Sequence, residues 1–244
     1  MHFKDFDSAL VVYAHPDDAE YLFGGAVALL TRRGAEVNFV CCTDGCKSGT
    51  PDPSLSDDEV AVLRATEQRA AAKVLGVNDV TFLGYPNGSL EVTPELRRDI
   101  VREIRRHKPQ LILTLVPYRD FDQPIGISHQ EHMAVGEATL FAASPESGTH
   151  RMYPELRNEG LEPHRAEEVW IPVATGANRY VDATEVIDTK IAAFKCHVSQ
   201  NGERPGRPGW TFDNPDWEPM GKVMRAAGEI IGCDFAESYR SIKL

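Results

Sequence analysis

The stretch Ala9-Leu10-Val11-Val12-Tyr13-Ala14-His15-Pro16-Asp17-Asp18-Ala19-Glu20 sets the fold. Its first half is a short apolar run with β-branched residues that halts at a proline, which marks a buried strand ending there. Its second half crowds His15, Asp17, Asp18 and Glu20 at the carboxyl end of that strand. Open α/β sheets place their ligand sites at such ends. Neighbouring carboxylates repel one another, and a bound divalent cation would offset that repulsion. One His beside adjacent Asp residues suits a hard or borderline metal such as Zn2+, with one carboxylate left for acid–base work. The bland alternative is a polar strand-to-helix turn with an Asp N-cap.

Outward from this stretch the pattern repeats. Leu22, Phe23, Ala26, Leu29 and Leu30 form a helical stripe that ends at Gly34. A second strand runs over residues 37–42 and closes on Thr43-Asp44-Gly45; residues 44–58 are rich in turn formers. Ser56 and Glu59 make a capping box for a helix that stops at Gly76. Residues 80–83 are a third strand with a turn at Tyr85-Pro86-Asn87-Gly88, Pro94 opens a helix, and residues 111–116 are a fourth strand ended by Pro117. Short connections between alternating strands and helices predict a Rossmann-like, three-layer α/β sandwich with a mostly parallel, doubly wound sheet. We expect one domain over residues 1–244, regular over about 8–143 and less so from 144 to 244. Residues 144–165 read as loop, 168–171 and 180–182 as strands, and 184–197 and 219–232 as helices. Residues 199–218 have no periodicity, and their Trp210, Phe212 and Trp217 could stack on a sugar face.

Composition narrows the function. The 244 residues carry a net charge of −11 and no basic cluster, which argues against nucleic-acid and anionic-membrane binding. No run of about 18 apolar residues predicts a membrane span. Five cysteines without a C-x-x-C pair fit reduced thiols in a cytoplasm, with Cys41 and Cys42 in the core. No G-x-G-x-x-G follows the first strand, and carboxylates stand where a dinucleotide's pyrophosphate would sit.

A second polar cluster, Ser128-His129-Gln130-Glu131-His132, opens a helix after the fourth strand. Two strand ends on one sheet edge can bring the clusters together. His15, Asp18 and His132 then supply N, O and N ligands, the three-ligand open set of a catalytic zinc site. Such an ion lowers the pKa of bound water from about 15.7 toward roughly 7. Asp17 could take the water's proton, and a protonated His129 could stabilise the oxyanion and assist the leaving amine. With no G-x-S-x-G elbow, direct hydrolysis of an amide is favoured over an acyl-enzyme route.

These residues resemble a known family. Ala-His-Pro-Asp-Asp-x-Glu at 14–20 with Gly24-Gly25, Thr43-Asp44-Gly45, Arg64-x-x-Glu67, Leu75-Gly76-Val77, Phe82-Leu83-Gly84 and His-x-x-His at 129–132 are similar, in order, to the LmbE-like, or PIG-L, zinc-dependent N-deacetylases. The resemblance implies zinc, with Fe2+ or another divalent ion as a substitute, at His15, Asp18 and His132, with Asp17 as general base and His129 as its electrophilic partner. It implies substrate contacts near Arg64 and Asn87, and a homo-oligomer (trimer or hexamer) by analogy with relatives bearing Glu at position 20. Glu131 stands where many relatives have Asp, and should orient a His. Ile127 stands where some relatives have Tyr, so no phenol is expected there. The expected substrate is an N-acetylglucosamine-type sugar or its conjugate; a thiol conjugate or other N-acyl small molecule is the alternative.

Overall fold

The structure, a computed structural model, describes residues 6–47, 52–121, 125–201 and 220–244. Strands β1 (Ser8–Tyr13), β2 (Glu36–Thr43), β3 (Asp79–Tyr85) and β4 (Leu111–Thr114) alternate with helices α1 (Asp18–Arg32), α2 (Asp57–Leu75) and α3 (Pro94–His107), and α4 (Gln130–Ala143) follows β4. Local chemistry explains the boundaries. The Ser56–Glu59 capping box starts α2, and Gly76 ends it at a φ of 76°. Thr93 caps α3 by accepting from the Leu96 N–H, with Pro94 in the first turn. β4 stops at Thr114, short of the expected residue 116; its ladder to β1 ends there and its ladder to β5 at Leu113.

The later half adds β5 (Glu168–Pro172), β6 (Arg179–Asp182), α5 (Ile187–Lys195), the single turn α6 (Val198–Asn201), α7 (Met220–Ile231) and β7 (Ala236–Lys243). The expected helix over 184–197 is a 3-10 turn at Thr184–Val186 followed by α5. The expected loop over 144–165 contains 3-10 turns at Glu146–Gly148 and Pro154–Glu159. Trp210, Phe212 and Trp217 lie outside the described residues.

The sheet order is β3-β2-β1-β4-β5-β7-β6. β1 to β5 are parallel, and β7 runs antiparallel between β5 and β6. Helices α1, α2 and α5 pack together in one layer and α3 and α4 in another. β1 and β4 are neighbours, yet the chain leaves them toward opposite sides of the sheet. Their carboxyl ends therefore flank the switch-point crevice where such sheets bind ligands. β1 is almost wholly buried, as expected for a strand covered on both faces.

One feature ties the end of the chain to its start. Glu237 of β7 accepts hydrogen bonds from the Gly25 and Ala26 N–H groups of α1, both at 2.7 Å, and from the Tyr239 hydroxyl at 2.6 Å. Lys190 of α5 pairs with Glu237 and donates to the Tyr21 carbonyl at 2.8 Å, while the Leu22 carbonyl lies 3.2 Å from the Tyr239 hydroxyl oxygen. These side chains address backbone groups inside α1, so two glycines are needed there. A Cβ at Gly24 would stand 2.8 Å from the Lys190 Cγ, and one at Gly25 2.9 Å from the Glu237 carboxyl carbon.

Among the described residues no helix is long and apolar enough to cross a membrane. All five cysteines are free, and Cys41 and Cys42 are buried as expected.

Candidate active site

Two backbone segments build the site, one after β1 and one before and within α4. Beyond Tyr13 the chain turns at His15-Pro16-Asp17 and enters α1 at Asp18. Asp17 takes a φ of 112°, a region that residues with a Cβ seldom occupy. The strain is held by its neighbours: the Asp17 N–H donates to Gln68 Oε1 at 3.1 Å, and Arg64 donates to the Asp17 carboxylate at 3.0 Å and to the Pro16 carbonyl. Gly45 makes room for this, since a Cβ there would sit 2.6 Å from Arg64 Nη1.

The three histidines meet. The His15 and His132 ring centroids are 5.4 Å apart, His129 and His132 are 4.0 Å apart, and one nitrogen from each of the three lies within 4.8 Å of the others. Asp18 reaches into the same space, with Oδ1 3.1 Å from His132 Nε2 and Oδ2 3.4 Å from His15 Nδ1. The outer ring nitrogens are already engaged. His15 Nε2 donates to Glu131 at 2.8 Å, and His132 Nδ1 donates to the Ile127 carbonyl at 2.9 Å. Both acceptors lack a proton to give, so in the neutral rings the lone pairs lie on His15 Nδ1 and His132 Nε2, beside Asp18. Two imidazole lone pairs and a carboxylate converging in this way fit a divalent cation.

Glu131 has four donors: His15, the Asn87 side chain at 2.7 Å, and the Gly88 and Leu90 N–H groups at 2.8 and 3.1 Å. Burial works against its charge, but these hydrogen bonds outweigh it and hold the carboxyl down to about 2. Replacement by Gln leaves one oxygen to satisfy what two now satisfy and weakens the grip on His15. We expect Glu131→Gln to lower metal affinity by about 10- to 100-fold, read by competition against a chelating dye. Unchanged affinity would remove Glu131 from the site.

The electrostatics separate the other groups. Burial would lower the pKa of His15, but its bonds to Asp18 and Glu131 prevail and raise it to about 9. Burial would raise Asp18, yet the charge and hydrogen bond of His132, followed by those of His15, hold it well below the usual carboxylate range. Asp17 is pushed up, chiefly by burial and against the pull of Arg64. For His129, burial and then its two neighbouring histidines lower the pKa to about 4. The sequence leaves room for a protonated His129; the lowered pKa favours the uncharged ring near neutral pH.

The site opens into a cavity of about 530 Å³ that His15, Asp17, Asp18, His129 and His132 line together. Arg64 and Asn87 also line it, but the structure gives them protein partners. Arg64 is buried, with Nη1 on the Gly45 carbonyl at 3.0 Å and Nη2 on the Pro16–Asp17 turn. Asn87 donates to Glu131 and accepts from the Lys47 N–H at 2.9 Å. Glu67 bonds the Ser199 N–H and hydroxyl, both at 2.7 Å, and not Arg64. Ile127 acts through its carbonyl.

A buried chain behind Asp17 escaped the sequence reading. Gln68 donates to Glu20 at 2.8 Å, and Glu20 meets His197 Nε2 at 3.0 Å, with Glu20, Gln68 and His197 all fully buried. The sequence marks Glu20 as part of a charge cluster and a motif but not its partners; His197 sits at the end of a helix stripe and gives no signal of its own.

Residues 10–143 match the family described as PIG-L: GlcNAc-PI de-N-acetylase. Over 98% of its length the chain is 29% identical to a diacetylchitobiose deacetylase of Thermococcus kodakarensis, covering 85% of that protein. It is 31% identical to a probable N-acetyl-alpha-D-glucosaminyl L-malate deacetylase 2 of Bacillus subtilis, covering 80% of this chain and 83% of that one. The fold superposes on the N,N'-diacetylchitobiose deacetylase of Pyrococcus horikoshii, solved with its inhibitor MPG, with a TM-score of 0.85 at 28% identity, over 99% of this chain and 85% of the other. The chain belongs to the PIG-L, GlcNAc-PI de-N-acetylase, family.

Proposed function

We propose that this chain, acting as one domain, is a metal-dependent hydrolase that removes the N-acetyl group from an N-acetylglucosamine-type amino sugar or its conjugate. The observation that carries the reading is the convergence of His15, Asp18 and His132 beside a spare carboxylate, Asp17, at the floor of one cavity. The names of the relatives, all deacetylases of N-acetylglucosamine compounds, support the substrate class. His15, Asp18 and His132 would hold the cation, zinc in the first instance, since two imidazoles and a carboxylate are its usual donors. When bound, the ion supplies Lewis acidity toward the acyl carbonyl and makes water more acidic. Five free thiols support a reducing compartment such as the cytoplasm.

The chain's own residues divide the remaining work. Asp17 accepts a proton from the attacking water. A carboxyl raised by burial then holds that proton well enough to pass it to the departing nitrogen. Neutral His129 donates its N–H to the carbonyl oxygen as negative charge builds there. Water adds a hydroxyl to the acyl carbon, the C–N bond breaks, and acetate and a free amine leave.

The test is release of acetate and primary amine from N,N'-diacetylchitobiose and N-acetylglucosamine. We expect chelation to abolish release and Zn2+ to restore it. A metal-loaded protein that frees no acetate from either sugar, or one indifferent to chelation, would overturn the reading.

A further inference from the structure

A second cavity, of about 170 Å³, adjoins the catalytic one, and Tyr21, Leu22, Gly126 and Ile127 line both. The shared wall is close to the chemistry. Tyr21 and Leu22 lie one turn of α1 beyond Asp18, and the Ile127 carbonyl holds His132. The far wall includes Val173, Met220 and Met224.

Three polar side chains that reach this second cavity, Lys190, Glu237 and Ser238, are occupied by protein. Lys190 is held by Glu237 and the Tyr21 carbonyl. Glu237 accepts from two backbone N–H groups and Tyr239. Ser238 donates to the Val173 carbonyl at 2.7 Å. A polar group entering here would lose its water and gain no partner, which disfavours a sugar hydroxyl. Apolar surface gains instead. The volume is close to that of an apolar cavity known to take a benzene-sized guest, about 150 Å³.

Building on the deacetylase reading above, we propose that the second cavity is a subsite for an apolar group of roughly six carbons on the substrate, so that the preferred substrates are amphiphilic N-acyl amino sugars. That group is either an acyl chain longer than acetyl or an apolar aglycone on the sugar.

Two substrate series test this. One lengthens the acyl chain on glucosamine from acetyl to hexanoyl; the other lengthens the alkyl aglycone of N-acetylglucosamine from methyl to hexyl. We expect kcat/KM to rise about fourfold per methylene along one series until the cavity is full, and that series identifies the end that enters. Exposed residues at the cavity's lip allow a plug: Ala174→Trp and, independently, Val223→Trp should flatten the ratio of long-chain to short-chain rates within each variant. A calorimetric titration with hexyl against methyl glucosides reads the subsite without turnover and should show the same gain and its loss in the plugged variants. Hydrolysis of the short substrates with no chain-length gain in either series would overturn the subsite alone. No hydrolysis of any amide, with hexyl glucoside still favoured in the titration, would overturn the deacetylase reading and leave the subsite standing. Equal binding of hexyl and methyl glucosides together with a flat acyl series would overturn the subsite.

Discussion

Asp17→Asn is expected to lower kcat by about 10²- to 10⁴-fold, the range of a positioned acid–base group, while metal content stays at the wild-type level. Asn keeps the size of the side chain and can still accept from Arg64, so the turn should survive. It cannot take a proton from water near neutral pH. Metal should be retained because the donors proposed for it are His15, Asp18 and His132, and Asp17 is not among them. Kinetics beside elemental analysis separates the two effects, and a fully active variant would remove Asp17 as base. The pH profile gives an independent check. Asp17 must be ionised to act, so its pKa sets the acid limb of kcat/KM. Burial raises that pKa and Arg64 lowers it. Arg64→Met removes the positive charge that favours the ionised carboxylate, and we expect the acid limb to move to higher pH. A limb that stays in place would dissociate Arg64 from the base.

The second large effect concerns stability. Glu237→Ala should cost about 3–5 kcal/mol, because it leaves the Lys190 ammonium buried without its carboxylate. It also strips partners from the Gly25 and Ala26 N–H groups and the Tyr239 hydroxyl. At about 2–4 °C per kcal/mol for a chain of this size, Tm should fall on the order of 10 °C. Adding Lys190→Met should recover part of the loss by removing the stranded charge, but not the loss at the two N–H groups. Thermal unfolding of the three proteins decides this; an unchanged Tm in Glu237→Ala would mean that the buried pair contributes nothing net.

How far the sequence foretold these features depended on how local their causes are. β1 and its polar end were legible because an apolar run, a proline and a carboxylate cluster lie within a dozen residues of one another. The capping box at Ser56 and the proline start of α3 were legible for the same reason. β7 was not: Ala236–Lys243 mixes Glu, Ser, Arg and Lys, and it pairs as a strand because β5 and β6 stand on either side of it. Gly24-Gly25 was visible as a motif, but its cause is a carboxylate 212 residues away. The meeting of His15, Asp18 and His132 could be read from spacing, since strand ends share an edge. The lowered pKa of His129 could not, because it depends on burial and then on two other rings that only the fold brings near. Arg64 and Asn87 line the cavity as expected of residues near substrate, but their bonds to loop carbonyls, Asp17 and Glu131 are ones that no spacing rule reaches.

The grip of Glu237 on α1 also orders events during synthesis. A nascent polypeptide displays the His15–Asp18 turn early, while the residue that anchors its helix is still untranslated. Contacts so distant along the chain form late, because closing the intervening loop is entropically costly. The His15–Asp18 turn is thus synthesised long before the carboxylate that braces its helix. A chain stalled before Glu237 would lack that brace on α1.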